Sequence, residues 1–153
     1  MSERKRDDGR NPSFAKKTSD VSAAFAKRQL GQQSYELPLD AEPCFDDVKI
    51  PLEDSIVLHE CPKKCYKNMV VDFSVILDAL APDARSRHNF HEIDSKHGTI
   101  HHHRFRRCRK LPASKIVKIP NSDWNFVNEA FYQSVDWCFS HYEDEYARWC
   151  KTF

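Results

Sequence analysis

The chain of 153 residues has only three glycines and no long hydrophobic run. Phosphate-binding loops need several glycines close together, so this shortage argues against an NTP or dinucleotide site. A membrane-spanning helix needs about 18 consecutive apolar residues, and no segment approaches that length. The motifs G-x-S-x-G and H-E-x-x-H, typical of serine hydrolases and zinc proteases, are also missing. We therefore expect a soluble domain with no membrane partner.

The chain also has little net charge, and its first residues do not resemble a secretory signal. Its 24 Lys and Arg are balanced by 23 Asp and Glu, so the net charge is only +1 at pH 7. Any attraction to phosphate must come from a local cluster of cations. The first 13 residues are charged and polar with no apolar stretch behind them, which argues against a signal peptide. We therefore predict a cytoplasmic protein, in which the six cysteines are free thiols or metal ligands rather than disulfides.

The composition changes along the chain and divides it into three parts. Residues 1–20 contain six basic and four acidic residues with almost no apolar mass, which predicts a disordered tail. Residues 21–54 are predicted to form an extended acidic linker or arm, with at most one short helix near its start. Residues 55–153 contain the periodic hydrophobic segments, so we predict a single α+β domain there.

The first half of this domain has the alternation that is typical of strands. In residues 69–78 apolar side chains occupy every second position and so lie on one face, which predicts a half-buried strand. Short strands are predicted at 56–59 and 115–119. Two longer strands, 87–94 and 99–109, flank a four-residue turn that contains Gly98, which predicts a β-hairpin. Together these segments predict a small antiparallel sheet of three or four strands.

The last part of the domain has a helical period. Pro120 ends the preceding strand, and residues 121–123 offer N-caps. Aromatic and apolar residues then recur at intervals of three and four, which predicts a helix from about 122 to 149, about 40 Å long. Strands first and one long helix last indicate an α+β fold in which the helix covers the sheet. An overhanging end of its aromatic stripe is a candidate homodimer surface.

The hairpin is the predicted working surface. A four-residue turn would place Glu92 opposite His101, with His103 on the same face. Glu92 could then orient His101 while His103 supplies a second proton carrier for general acid–base catalysis. The cations suited to phosphate are Arg104, Arg106, Arg107 and Arg109. These parts predict an RNA-directed protein, and in its most specific form a metal-independent ribonuclease.

The same residues have other interpretations. The His-rich strand is also consistent with a solvated edge, with binding of RNA or an acidic protein without chemistry, or with a divalent ion shared by a H-x-H pair. The alternative function is a non-catalytic protein-interaction module stabilised by zinc. Cys61 and Cys65 have the spacing of zinc ligands, and His59 or Cys108 could complete that site. Otherwise the two cysteines are buried structural residues.

The stretch from Ile93 to His103 reads IDSKHGTIHHH: an apolar residue, an Asp, a short turn with a His, then clustered His. It resembles the hairpin of small bacterial TumE-like toxins of toxin–antitoxin pairs. The resemblance covers only this hairpin. It implies a few strands followed by a helix, an RNA-directed activity and a cognate partner protein. The positions that match are Asp94, His97, His101 and His103.

Overall fold

The computed structural model describes residues 35–53, 55–83 and 85–153. Both the predicted disordered tail and the predicted short helix lie outside the described residues. Eight strands and one long α-helix make up the regular structure of the described ranges. The predicted α+β class, with an antiparallel sheet and a C-terminal helix, is confirmed.

The strands of the single sheet and the helix have the following bounds: β1 (Glu42–Pro43), β2 (Val48–Glu53), β3 (Ile56–Tyr66), β4 (Met69–Leu80), β5 (Arg87–Asp94), β6 (Thr99–Arg106), β7 (Arg109–Lys110), β8 (Ser114–Lys118) and α1 (Trp124–Cys150). Strands β3 to β6 form the centre in chain order. The short strands β1 and β2 pair with β3 at one edge, and β7 and β8 pair with β6 at the other.

The prediction of three or four strands is wrong in number. Strands β1 and β7 have two residues each, so no alternation can reveal them in the sequence. The predicted acidic arm contributes both β1 and β2 to the sheet. Strand β3 also continues past Pro62, well beyond the short strand predicted at 56–59. The register shifts just after Pro62, and such an irregularity accommodates a residue that cannot donate a backbone hydrogen bond.

Helix α1 covers one face of the sheet and closes the core. It begins after Asp123, whose side chain accepts a 3.0 Å hydrogen bond from the backbone N–H of Phe126. Its aromatic stripe reaches the sheet through an edge-on contact of Phe131 with Phe73 and through Trp149 stacked on a strand residue. The predicted helix is therefore confirmed, with bounds that differ by two residues or fewer. No helix of the described ranges is long and apolar enough to cross a membrane.

Cys44 and Cys65 form a disulfide that joins the residue after β1 to β3. The prediction that all six cysteines are free thiols or metal ligands is therefore wrong. Antiparallel pairing of β1 with β3 brings the two residues together, and that pairing leaves no signal in the cysteine spacing. Zinc binds thiolates, so a disulfide-bonded Cys65 cannot join Cys61 in the predicted zinc site. The pKa of the Cys61 thiol is also raised to about 11, mainly by burial and to a smaller extent by the nearby Asp47.

Candidate functional site

Strands β5 and β6 form the predicted hairpin, but their register differs from the prediction by two residues. Glu92 lies opposite His103 rather than His101, and Asp94 lies opposite His101. The first two residues of β6 pair with β8 instead of β5, which lengthens the connection between the paired parts of the hairpin. A shift of two leaves every side chain on its predicted face, because side chains alternate along a strand with period two.

The face of the hairpin opposite α1 holds a buried cluster of Asp94, His101 and His103. One potential ligand atom of each residue lies within 4.8 Å of the others. His101 Nε2 is 3.0 Å from Asp94 Oδ1, and the two imidazole rings are nearly perpendicular, with centroids 4.9 Å apart. Relative exposure is only 1% for Asp94 and His101 and 4% for His103. The cluster is therefore part of the interior and not an open surface.

Both imidazoles have a second partner at Nδ1. Thr99 Oγ1 donates to the carbonyl of Lys96 and lies 2.8 Å from His101 Nδ1. His103 Nδ1 lies 2.9 Å from the carbonyl of Leu111, which can only accept. The Leu111 carbonyl therefore holds the Nδ1 proton of His103 and leaves Nε2 of that ring free of a proton when the ring is neutral. His101 has an oxygen at each ring nitrogen, Thr99 Oγ1 at Nδ1 and Asp94 Oδ1 at Nε2.

The protonation of the cluster follows from burial and contact. Burial acts to raise the pKa of Asp94, but the hydrogen bond and charge of His101 outweigh it and hold that pKa below its ordinary value. Burial lowers the pKa of His103, so its ring is neutral at neutral pH. At neutral pH the cluster therefore contains a carboxylate and at least one neutral imidazole.

Glu92, the predicted partner of His101, is engaged elsewhere. Its carboxylate lies 2.7 Å from the ammonium group of Lys110, and its cross-strand neighbour is His103. The structure thus brings together the two predicted catalytic histidines, with Glu92 beside the second. The carboxylate at His101 is Asp94, which the acid–base prediction missed because the assumed register placed it opposite Thr99.

On the other face, Glu145 of α1 is the centre of a buried polar network. It accepts two hydrogen bonds from Arg104, at 2.8 and 3.0 Å, and one from Arg148 at 3.0 Å. His91 Nδ1 lies 3.2 Å from it, and the other nitrogen of that ring is 2.9 Å from His102 Nδ1. Arg104, predicted to bind nucleic acid, is therefore paired within the fold. No local sequence pattern pairs Glu145 with Arg104, because helix and hairpin meet only in the tertiary structure.

The outer edge of the hairpin contains the other predicted cations. We define the cationic edge as Arg106, Arg107 and Arg109. Arg106 and Arg109 are exposed and directly opposed across the β6–β7 turn, and among the described residues neither makes an ion pair with a carboxylate. Arg107 has a left-handed backbone (φ 54°), and its guanidinium donates to the Thr152 carbonyl at 3.0 Å.

The positions that resemble TumE-like toxins divide between this cluster and the turn. Asp94, His101 and His103 form the buried cluster, and His97 lies in the turn with a left-handed backbone (φ 60°). The resemblance itself stays a prediction. The chain matches no protein-family model, no curated protein and no solved structure.

Proposed function

We propose that the protein binds single-stranded RNA through the cationic edge. The observation that supports this proposal is the direct opposition of Arg106 and Arg109 across a tight turn. Like charges that face each other across two strands destabilise the pairing. A phosphate group between the two guanidinium groups would remove that repulsion, and the planar guanidinium forms two parallel hydrogen bonds to phosphate oxygens.

The local composition agrees with a polyanionic ligand. Residues 104–118 contain seven Lys and Arg and no Asp or Glu, although the whole chain is nearly neutral. Two of these cations, Arg104 and Lys110, have carboxylate partners in the fold. Within the part of the chain that the structure describes, the cationic edge has no carboxylate partner, which is the pattern expected of a local phosphate-binding surface.

An aromatic ring beside the cations favours RNA over an acidic protein. Phe153 is 39% exposed, and the Arg107 guanidinium lies 5.9 Å from the centre of its ring. Proteins that bind single strands combine cations along the backbone with aromatic rings on which bases stack. An acidic peptide would use the cations but would gain less from the ring.

Binding without cleavage is the form of this proposal that the geometry favours. A general acid or base must come within hydrogen-bond reach of the proton that it transfers. His101 and His103 are almost fully buried, and Glu92 is paired with Lys110. The predicted metal-independent cleavage would require these groups to become accessible to the RNA.

Salt-dependent RNA binding tests the proposal. We expect a labelled single-stranded RNA to bind with a salt dependence that decreases in the Arg106→Gln/Arg109→Gln variant. Loss of two phosphate contacts should reduce the slope of log K against log salt by about 1.4. Fluorescence anisotropy at several salt concentrations measures the slope, and electrophoresis of the same samples, with and without EDTA, detects cleavage.

A variant with the same change in net charge serves as the control. Lys49→Gln/Lys63→Gln removes two exposed cations of β2 and β3, strands that do not pair with the hairpin, and should leave the slope unchanged. An equal loss in both double variants, or no salt-sensitive binding by the unmodified protein, would contradict the proposal. If the Arg106→Gln/Arg109→Gln variant still cleaves RNA, residues outside the cationic edge must carry the RNA-directed role.

A further inference from the structure

We propose that Asp94, His101 and His103 bind one zinc ion inside the β5–β6 hairpin. This inference goes beyond RNA binding and does not depend on it, because none of the three residues belongs to the cationic edge. Two imidazole nitrogens and one carboxylate oxygen are the ligands of three-residue zinc sites, in which water takes the fourth position.

The positions of the ligand atoms suit a shared ion. Two ligand atoms at zinc distance in a tetrahedral site are about 3.3 Å apart, and His101 Nε2 and Asp94 Oδ1 are 3.0 Å apart. The potential ligand atoms of all three residues lie within 4.8 Å of one another, so a small rotation of side chains would bring the third into contact. His101 and His103 are two apart on β6 and point to the same face, with Asp94 on the neighbouring strand.

The hydrogen bonds at Nδ1 prepare both rings for metal binding. His103 donates from Nδ1 to the Leu111 carbonyl, so in the neutral ring Nε2 has an unshared electron pair. His101 has Thr99 Oγ1 at Nδ1, and the hydroxyl proton is directed at the Lys96 carbonyl. Histidines that bind metals usually donate their other N–H to a carbonyl or a comparable oxygen, which fixes the ring.

The contact between His101 and Asp94 supports the same conclusion. His101 Nε2 and Asp94 Oδ1 face each other at 3.0 Å, so only a proton or a metal ion fits between them. Zinc would take the place of the proton of this hydrogen bond, because a metal displaces the protons of its ligands when it binds. A zinc ion would also compensate the buried negative charge of Asp94, and it would bind His103 at the same time.

The ligand types select the class of metal. Calcium and magnesium prefer sites made of oxygen ligands, whereas imidazole suits zinc and other first-row transition metals. The ion would link β5 to β6, and its ligand His103 is three residues before Arg106. It would therefore stabilise the hairpin that carries the cationic edge. Its expected role is therefore structural support of the hairpin.

Metal titration of the full-length chain tests the site. Protein treated with a chelator and then dialysed should bind one zinc ion per chain in competition with a chromophoric chelator. Magnesium at the same concentration should not compete. Cobalt in place of zinc should give visible absorption bands with the intensity of a four-coordinate ion. Absence of stoichiometric zinc binding would overturn the proposal.

Three variants identify the ligands. His103→Gln removes one ligand and should lower zinc affinity by at least a hundredfold. Thr99→Val leaves all three ligands in place and removes the hydroxyl that contacts His101 Nδ1 and the Lys96 carbonyl, so we expect a tenfold to hundredfold loss of zinc affinity. The matched control, His102→Gln, changes the histidine between the two ligands, which points to the opposite face, and should bind zinc as tightly as the unmodified chain.

Circular dichroism shows which variants retain the fold, and Thr99→Val provides the test if His103→Gln does not. A folded His103→Gln or Thr99→Val protein with unchanged affinity overturns the proposal. Loss of zinc binding in Cys61→Ser would overturn it as well, because the ion would then belong to a cysteine site. RNA binding is measured separately with the arginine variants, so failure of one proposal does not imply failure of the other.

Discussion

At the scale of single residues, the buried Glu145 determines how α1 meets the hairpin. Its carboxylate is 5% exposed and accepts hydrogen bonds from side chains of two elements, Arg104 of β6 and Arg148 of α1 itself. These donors, together with the contact to His91, outweigh the effect of burial and hold the pKa of Glu145 well below its ordinary value. The carboxylate is therefore ionised at neutral pH, and its charge is compensated inside the fold.

Removal of this charge should destabilise the protein. Glu145→Gln leaves two guanidinium groups without their carboxylate, and breaking a buried ion pair typically costs about 3–5 kcal/mol. We expect a decrease in the free energy of unfolding near the lower end of that range, because Arg104 is partly exposed. Urea denaturation measures it. Asp144→Asn, an exposed neighbour on the same helix, should change stability little, and an equal effect of both substitutions would refute the role of Glu145.

The same carboxylate should make stability depend on pH in acid. A carboxylate with a depressed pKa stabilises the fold fully above its unfolded value, about 4.5, and this contribution is lost as the pH falls toward the folded pKa. The difference in unfolding free energy between the unmodified chain and Glu145→Gln should therefore be constant from pH 7 to 5.5 and decrease below about pH 4.5. Denaturation series across that range test this, and a difference that stays constant down to pH 3 would contradict it.

At the scale of elements, short irregularities determine which side chains meet. Phe90 is an extra residue in β5, because Leu77 pairs with His91 and Asp78 pairs with Asn89. A bulge of this kind places two successive side chains on nearly the same side. Phe90 therefore stacks on Trp149 while His91 stacks on Trp137, and both contact α1. Without the bulge, only one of the two could face the helix.

The disulfide is a second feature at this scale. Cys44–Cys65 closes a loop with a sequence separation of 21 and fastens the edge strand β1 to β3. By loop-closure entropy such a bond contributes about 3 kcal/mol. We expect Cys44→Ser to decrease the free energy of unfolding by about that amount under oxidising conditions. With a reductant present, the unmodified chain and the variant should become equal.

Cys108→Ser is the control for that experiment, because Cys108 is exposed and has a free thiol. It should leave stability unchanged in both conditions. Equal stability of Cys44→Ser and the unmodified chain without reductant would show that the disulfide does not stabilise the fold. The cytoplasmic location that the N-terminal sequence predicts stays a prediction.

At the scale of the whole molecule, the hairpin has three different surfaces, two faces and an outer edge. One face packs under α1 with the Glu145 network, the opposite face holds the Asp94 cluster, and the outer edge presents arginines that make no ion pair with a carboxylate of the described ranges. A nearly neutral chain can thus concentrate positive charge at one edge. The predicted homodimer and the predicted cognate protein partner stay predictions.

The sequence by itself determined the features that depend on local periodicity. The helix from 124 to 150, the long strand β4 and the hairpin follow from apolar spacing, capping residues and Gly98. The division of the hairpin into two faces was also predictable, because alternation does not depend on a register shift of two. Four of the predicted site residues therefore lie on the expected faces: Glu92, His101, His103 and Arg104.

Only the tertiary structure decided which of those residues touch. The pairing of β6 with β8 set the register that brings Asp94 to His101, and the packing of α1 brought Glu145 to Arg104. The disulfide likewise depends on an edge strand of two residues. Contacts between residues distant in the chain arise from strand pairing and helix packing, and a local pattern contains no information about either.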